Sequence, residues 1–130
     1  MKNNIIAISA PEGGCGLYTE NQIEYVLQGL ITAFATAVQR TKKSASVKTL
    51  IHSGNLGCGV FGGNKELMYL AQLYAACITG VDELVMHTSD AKILEEAQKK
   101  FYEIKSEWNF KDSVKFLMAQ NYKWNTGDGN

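Results

Sequence analysis

The sequence predicts a single small domain of the mixed α/β class with a mainly parallel sheet. Short apolar, β-branched runs alternate with longer segments whose apolar residues recur at helical spacing. Glycine, proline or a helix-capping residue marks the switches between the two patterns. The predicted order is βαβαβαα, and strands that alternate with helices favour parallel pairing through right-handed crossovers.

The first three elements follow from short motifs. Residues 5–9 (IIAIS) predict a buried strand that ends before Pro11. Residues 19–22 (TENQ) form a capping-box pattern, and the helix that they open is expected to run to about Thr41. Residues 47–52 (VKTLIH) predict the second strand.

The later elements are bounded in the same way. Asn64 is a suitable N-cap for a helix over residues 67–78, which is apolar on most faces, and Gly80 ends it. The remaining predictions are a strand over residues 82–88, helices over 91–104 and 112–122, and a flexible tail over 125–130. We expect residues 1–124 to form one compact domain. Three strands leave a sheet edge that another strand, a larger protein or a homo-oligomer would cover.

Composition excludes several classes of function. The chain has 130 residues, with 13 Lys plus Arg and 13 Asp plus Glu, so it has no general attraction to DNA, RNA or an anionic membrane. No apolar stretch approaches the roughly 20 residues of a membrane span, and no signal-peptide pattern is present. Three cysteines without metal-ligand spacing indicate a reducing, cytoplasmic compartment and no metal site or cofactor.

Residues 54–63 (GNLGCGVFGG) contain five glycines between a predicted strand and a predicted helix. The carboxyl ends of parallel strands deliver their loops to one rim, so this loop and the glycines at 13 and 14 are expected to meet there. Glycine lets backbone N–H groups turn toward an anion, and the following helix N-terminus adds its own donors. The pattern is compatible with a phosphate or diphosphate site and with a mere tight turn.

The stretch HSGNLGCGVFGGNKELMYLAQLYAA, residues 52–76, resembles the diphosphate-loop segment of poly(ADP-ribose) glycohydrolases, where the loop reads close to TGNWGCGAFGG. The matched positions are Gly54, Asn55, Gly57, Cys58, Gly59, Phe61, Gly62 and Gly63. The resemblance extends over about residues 47–122. It implies a small three-layer macrodomain-like fold whose ligand is an ADP-ribose-type nucleotide or an ADP-ribosylated protein.

The resemblance also implies roles for individual residues. Residues 57–63, Val60 among them, would cradle the diphosphate, and Phe61 would contact a ribose or a neighbouring part of the ligand. Asn55 would fix the loop or bind the ligand, and Cys58 would be a small packed residue. Gly13 and Gly14 would complete the rim. Thr88 stands where the family has an aromatic residue on adenine, so His87 would supply a flat ring.

Catalysis is where the sequence departs from the family, which uses Gly-Gly-Gly followed by Gln-Glu-Glu. The nearest match is Gly13-Gly14 followed by Glu20-Asn21-Gln22, in which amides occupy the carboxylate positions. A second alignment leaves the catalytic segment outside the chain. We therefore predict a reader or sequestering module that binds ADP-ribose. The alternative is an ADP-ribosyl glycohydrolase that uses Glu20.

A third class is an enzyme with a nucleophilic cysteine. Cys15 or Cys58 would then act with His52 or His87 near the same rim. The competing interpretation is that cysteine beside glycine is simply small enough to fit.

Overall fold

The computed structural model describes residues 5–11, 13–43, 47–59 and 61–125. Val60 and residues 126–130 of the predicted tail therefore lie outside the described residues. The elements, in chain order, are α1 (Glu20–Lys42), β1 (Leu50–Ser53), α2 (Lys65–Thr79), β2 (Glu83–Met86), α3 (Ala91–Phe101) and α4 (Phe110–Ala119). No helix in these ranges is both long and apolar enough to cross a bilayer.

The sheet pairs β1 with β2 in parallel, and α2 is the crossover between them. The register places Ile51 opposite Leu84 and Ser53 opposite Met86. Side chains alternate across a strand, so these residues share the face that packs on the core. The predicted mixed α/β class with a parallel sheet is thus confirmed.

The predicted strand over residues 5–9 is wrong. This segment forms no strand, and Ile5 is 92% exposed. It lies beside α1, where Ile6 and Ile8 border a groove with Tyr25. An apolar β-branched run becomes a buried strand only when a neighbouring strand accepts its hydrogen bonds, and here it runs alongside a helix instead. The observed order is accordingly αβαβαα in the described ranges.

The two long helices begin where their capping residues predict. Oγ1 of Thr19 accepts from the Gln22 N–H at 3.2 Å, and Oε1 of Gln22 accepts from the Thr19 N–H. These two bonds complete the capping box of α1. Asn64 caps α2, and Gly80 ends it with a left-handed φ of 83°. Most of α2 is buried between α1 and α3, as its apolar faces predict.

The C-terminal part differs from prediction. Helix α3 ends at Phe101 rather than residue 104, and α4 begins earlier because Asn109 and Asp112 form a second capping box. After α4 the chain turns back, and Leu17 pairs with Lys123 in an antiparallel bridge. We call residues 122–125 the C-terminal strap. Tyr122, predicted as helical, belongs to this strap.

Candidate functional site

The two glycine-rich segments lie against each other. A Cβ added at Gly13 would lie 2.8 Å from the Phe61 carbonyl oxygen, and one at Gly14 would lie 2.6 Å from Nε1 of Trp124. Neither position has room for a side chain. The first loop therefore reaches the glycine loop of residues 54–63 even though no strand precedes it.

The glycine loop is closed by its own backbone. Gly63 N–H donates to the Gly57 carbonyl at 2.8 Å, and a Cβ at Gly63 would lie 2.6 Å from that same oxygen. Gly57 has a left-handed φ of 67°, and its missing Cβ would lie 2.8 Å from Cβ of Ala10. These two glycines are required by the shape of the loop itself.

Several backbone donors of the loop have no acceptor among the described residues. The N–H groups of Leu56, Cys58, Gly62 and Gly63 have acceptors inside the loop. Those of Gly57, Gly59 and Phe61 have none among the described residues. Helix α2 begins two residues after the loop, with its positive N-terminal end toward it. Such an arrangement of donors suits an anion.

The space around the loop is also open. A Cβ at Gly59 would meet nothing within 4 Å, and the Phe61 side chain is 45% exposed instead of filling the core. A surface pocket of about 350 Å³ opens beside it at the start of α2, where Asn64, Lys65 and Asn125 contribute to the wall. A ligand can therefore approach the loop from solvent.

Side chains of α2 hold the loop from beneath. Gln72 is fully buried, accepts from the Ser53 hydroxyl and donates to the Gly54 carbonyl at 3.1 Å. The Tyr69 hydroxyl donates to Oδ1 of Asn55 and lies 2.7 Å from Oγ1 of Thr88. Burial raises the pKa of Tyr69, which keeps this hydroxyl protonated. Asn55 is thus tied into the scaffold.

Thr88 belongs to the same network and not to a base-stacking position. Its Oγ1 accepts from the Asp90 N–H at 3.0 Å, and the Asp90 carboxylate pairs with Lys65 at 2.8 Å. Because Lys65 opens α2 and Asp90 precedes α3, this pair joins the two helix starts behind the loop. Local sequence patterns carry no signal for this arrangement, since the partners lie far apart in the chain.

Cys58 is a packed thiol. It is 4% exposed, and its Sγ donates to the Leu56 carbonyl at 3.3 Å. Burial raises the pKa of Cys58 to about 11, so the thiol stays protonated near neutral pH and is a poor nucleophile. Cys15 is exposed. The arrangement matches the interpretation of Cys58 as a small packing residue.

The C-terminal strap fastens both loops. The Trp124 ring stacks on Tyr18 with centroids 4.2 Å apart, and the backbone N–H of Trp124 donates to the Gly16 carbonyl at 2.9 Å. Asn125 donates its backbone N–H to Gly62 at 2.8 Å and its side-chain amide to Gly63 at 3.2 Å. The sequence assigns Asn125 to a flexible tail, but these bonds place it at the site.

Tyr18 connects the strap to α2. Its hydroxyl oxygen accepts from the Asn64 N–H at 2.9 Å, and burial raises the pKa of Tyr18 to about 12. Trp124 covers one face of the ring. Tyr18 is therefore a support of the loop.

The predicted catalytic segment is used for structure. Oε1 of Gln22 accepts both the Thr19 N–H and Nε1–H of Trp124, the latter at 3.1 Å. Glu20 is exposed in the first turn of α1 and makes no hydrogen bond or ion pair with any described residue. No described residue orients this carboxyl group toward a ligand.

His87 lies just beyond β2, beside the start of the glycine loop. A Cβ at Gly54 would lie 3.1 Å from its carbonyl oxygen. Its ring stacks on His52 with centroids 5.0 Å apart, and Nδ1 of His52 lies 2.8 Å from Nε2 of His87. The described residues contain no cluster of three or more His, Cys, Asp or Glu side chains able to share an ion.

Together, the parallel sheet, the glycine loop at its carboxyl edge and the following capped helix define a mixed α/β protein of the macro domain fold. A family model described as poly(ADP-ribose) glycohydrolase, macro domain fold, matches residues 1–96 of the 130. The chain belongs to this family. No curated protein matches the chain.

Proposed function

We propose that this protein binds ADP-ribose, or a nucleotide that contains it, through residues 57–63 and serves as a reader or sequestering module. Membership of the poly(ADP-ribose) glycohydrolase family supports the ligand class. The observation that carries the proposal is the set of backbone N–H groups at Gly57, Gly59 and Phe61 that have no acceptor among the described residues. Donors held in fixed positions favour a diphosphate without needing a net positive charge.

Binding without cleavage is supported by the state of the first loop. A glycosidic bond is broken with the help of a carboxylic acid that donates a proton to the leaving oxygen. Gln22 is an amide and is already bonded to Trp124, while Glu20 is exposed to solvent. The described residues therefore support a loop that would hold a diphosphate better than they support an acid that would cleave the bond.

Direct titration with ADP-ribose tests the binding. Gly59→Val would place a side chain in open space beside the donors, so we expect a folded protein with strongly reduced affinity. The matched control is Gly29→Ala, because Gly29 also has nothing near its Cβ position but lies within α1. Calorimetry with AMP, which lacks the diphosphate, should show weaker binding than ADP-ribose. No heat and no thermal shift with ADP-ribose would refute the proposal.

The second candidate function is ADP-ribosyl glycohydrolase activity through Glu20. The contact between Gly13 and the Phe61 carbonyl favours it, since it brings the loop before α1 to the glycine loop. The test is incubation with poly(ADP-ribose) and with mono-ADP-ribosylated protein. Turnover that is retained in Glu24→Ala and lost in Glu20→Ala would establish hydrolysis and overturn the binding-only proposal.

A further inference from the structure

The two histidines of the chain meet on the outer face of the sheet. His52 lies opposite Val85 in the parallel register, and His87 follows Val85 by two residues, so both lie on the same face. His87 N–H donates to the Ser53 carbonyl at 2.8 Å, which continues the ladder to this position. We propose that the pair is a metal site that binds one divalent cation of tetragonal preference, Cu²⁺ or Ni²⁺.

The separation of the ring nitrogens fits this coordination. Nδ1 of His52 and Nε2 of His87 are 2.8 Å apart. Two nitrogens about 2.0 Å from one ion and at right angles to each other are separated by about 2.8 Å, whereas tetrahedral ligands are separated by about 3.3 Å. Neighbouring corners of a square-planar site therefore match the observed spacing better than a tetrahedral zinc site does. Imidazole is also a preferred ligand of both ions.

The present contact is compatible with replacement by a cation. The tautomer decides which of the two nitrogens donates, and a cation can bind both once the donating ring carries its proton on its other nitrogen. Both side chains are exposed, and the ring planes are inclined by 26°. Rotation about χ2 of histidine is soft, so each ring can turn its lone pair to a common point while the backbone stays fixed by the ladder.

Solvent would complete the coordination. The described residues offer no third His, Cys, Asp or Glu side chain in a cluster with the pair, so water oxygens would occupy the remaining positions. The His87 backbone lies next to Gly54, the first residue of the glycine loop. The two histidines are 35 residues apart, and the parallel register brings them together. The site requires no ADP-ribose and stands independently of the proposed function.

Calorimetric titration of the untagged chain with NiCl₂ tests the proposal. We expect one ion per chain. Loss of an outer-shell partner weakens metal binding by about 10–100-fold. His52→Ala and His87→Ala each remove a direct ligand, so we expect each to weaken Ni²⁺ binding by at least that factor. Cys15→Ser/Cys77→Ser, which removes the two exposed thiols, should bind as the unchanged chain does. The chain has only these two histidines, so the double histidine variant has none.

Electron paramagnetic resonance of the Cu²⁺-loaded chain provides a readout that does not depend on a variant's folding. Coupling to two imidazole nitrogens is expected. The proposal is overturned if the unchanged chain gives no heat with NiCl₂ or if binding survives loss of both histidines. It is likewise overturned if the Cys15→Ser/Cys77→Ser variant no longer binds Ni²⁺, or if the Cu²⁺ spectrum shows coupling to one imidazole nitrogen or to none.

Discussion

The two glycine-rich segments reach the same site but are held there differently. Residues 54–63 are closed by bonds within the loop and supported by Tyr69 and Gln72 of the next helix. Residues 13–18 are held by the C-terminal strap, chiefly through Trp124 and the bond from Tyr18 to Tyr122. The glycine loop is thus specified mostly by nearby sequence, and the first loop by the far end of the chain.

This difference bears on function. In the closed loop, the N–H groups of Gly57, Gly59 and Phe61 have no acceptor among the described residues, because other backbone groups and the side chains of α2 hold its shape. The first loop is bonded to the strap through Gly16 and Tyr18, and the Gln22 amide in the first turn of α1 accepts from Trp124. Under the proposed function, the segment that would hold the nucleotide is shaped largely by its own backbone and by α2, whereas Gln22 of the predicted catalytic segment has a structural bond to Trp124.

Removing the strap's anchor should have the largest effect. Trp124→Ala deletes a side chain that is 8% exposed, together with its stacking on Tyr18 and its bond to Gln22. We expect the free energy of unfolding, measured in urea, to fall by about 3–5 kcal/mol. Trp108→Ala, in a less buried tryptophan packed on Phe116, is the control and should cost less. An equal or smaller loss for Trp124→Ala would contradict a role for the strap.

Hydrogen exchange separates the two loops in the same variant. The Tyr18 amide, which donates to the Tyr122 carbonyl, should lose protection in Trp124→Ala. The Gly63 amide, bonded within the glycine loop, should keep most of its protection. Equal loss at both sites would show that the loops unfold as one unit.

A second comparison substitutes one left-handed glycine in each loop. Gly57→Ala and Gly16→Ala each place a side chain at φ near 70°, at a cost of about 1–2 kcal/mol. Only at Gly57 does the new Cβ also collide with a neighbour, Cβ of Ala10. Overpacking adds about 1–3 kcal/mol, so Gly57→Ala should be clearly the less stable variant in urea unfolding. Equal values would mean that residues 5–10 yield without cost.

The hydroxyl network under the glycine loop should come next. Tyr69→Phe leaves the ring in place but removes the partner of Asn55 and Thr88. We expect a loss of about 1–3 kcal/mol in the free energy of unfolding, because two polar groups lose their bond. Tyr102→Phe, at a tyrosine that is 83% exposed, is the matched control and should be neutral. If both variants are neutral, water replaces the hydroxyl and the loop is not held from beneath.

The parts of the fold predicted correctly are those encoded by adjacent residues. The capping box at Thr19, the N-cap at Asn64 and the left-handed Gly80 each depend on a few neighbours, and all three are observed. The strand over residues 5–9 was wrong because strand formation also requires a partner strand. Local pattern cannot supply that information.

The same limit applies to the site. The glycine loop is visible in the sequence because its five glycines fall within ten consecutive residues. The supports at Gln72, Tyr69 and Trp124 are ordinary residues in their own segments, and only the tertiary packing makes them supports. The pairing of His52 with His87 likewise depends on sheet register.

The smallest expected effect belongs to Asn125, the strap residue that contacts the glycine loop directly. Asn125→Ala removes the side-chain bond to Gly63 and keeps the backbone bond to Gly62, so we expect a loss of about 0.5–1.5 kcal/mol in urea unfolding. Lys123→Ala is the matched control, because its carbonyl, which accepts from Asn64, is unchanged. If the two variants are equal, the Asn125 side chain adds nothing, and the strap fastens the glycine loop only through the backbone bond to Gly62.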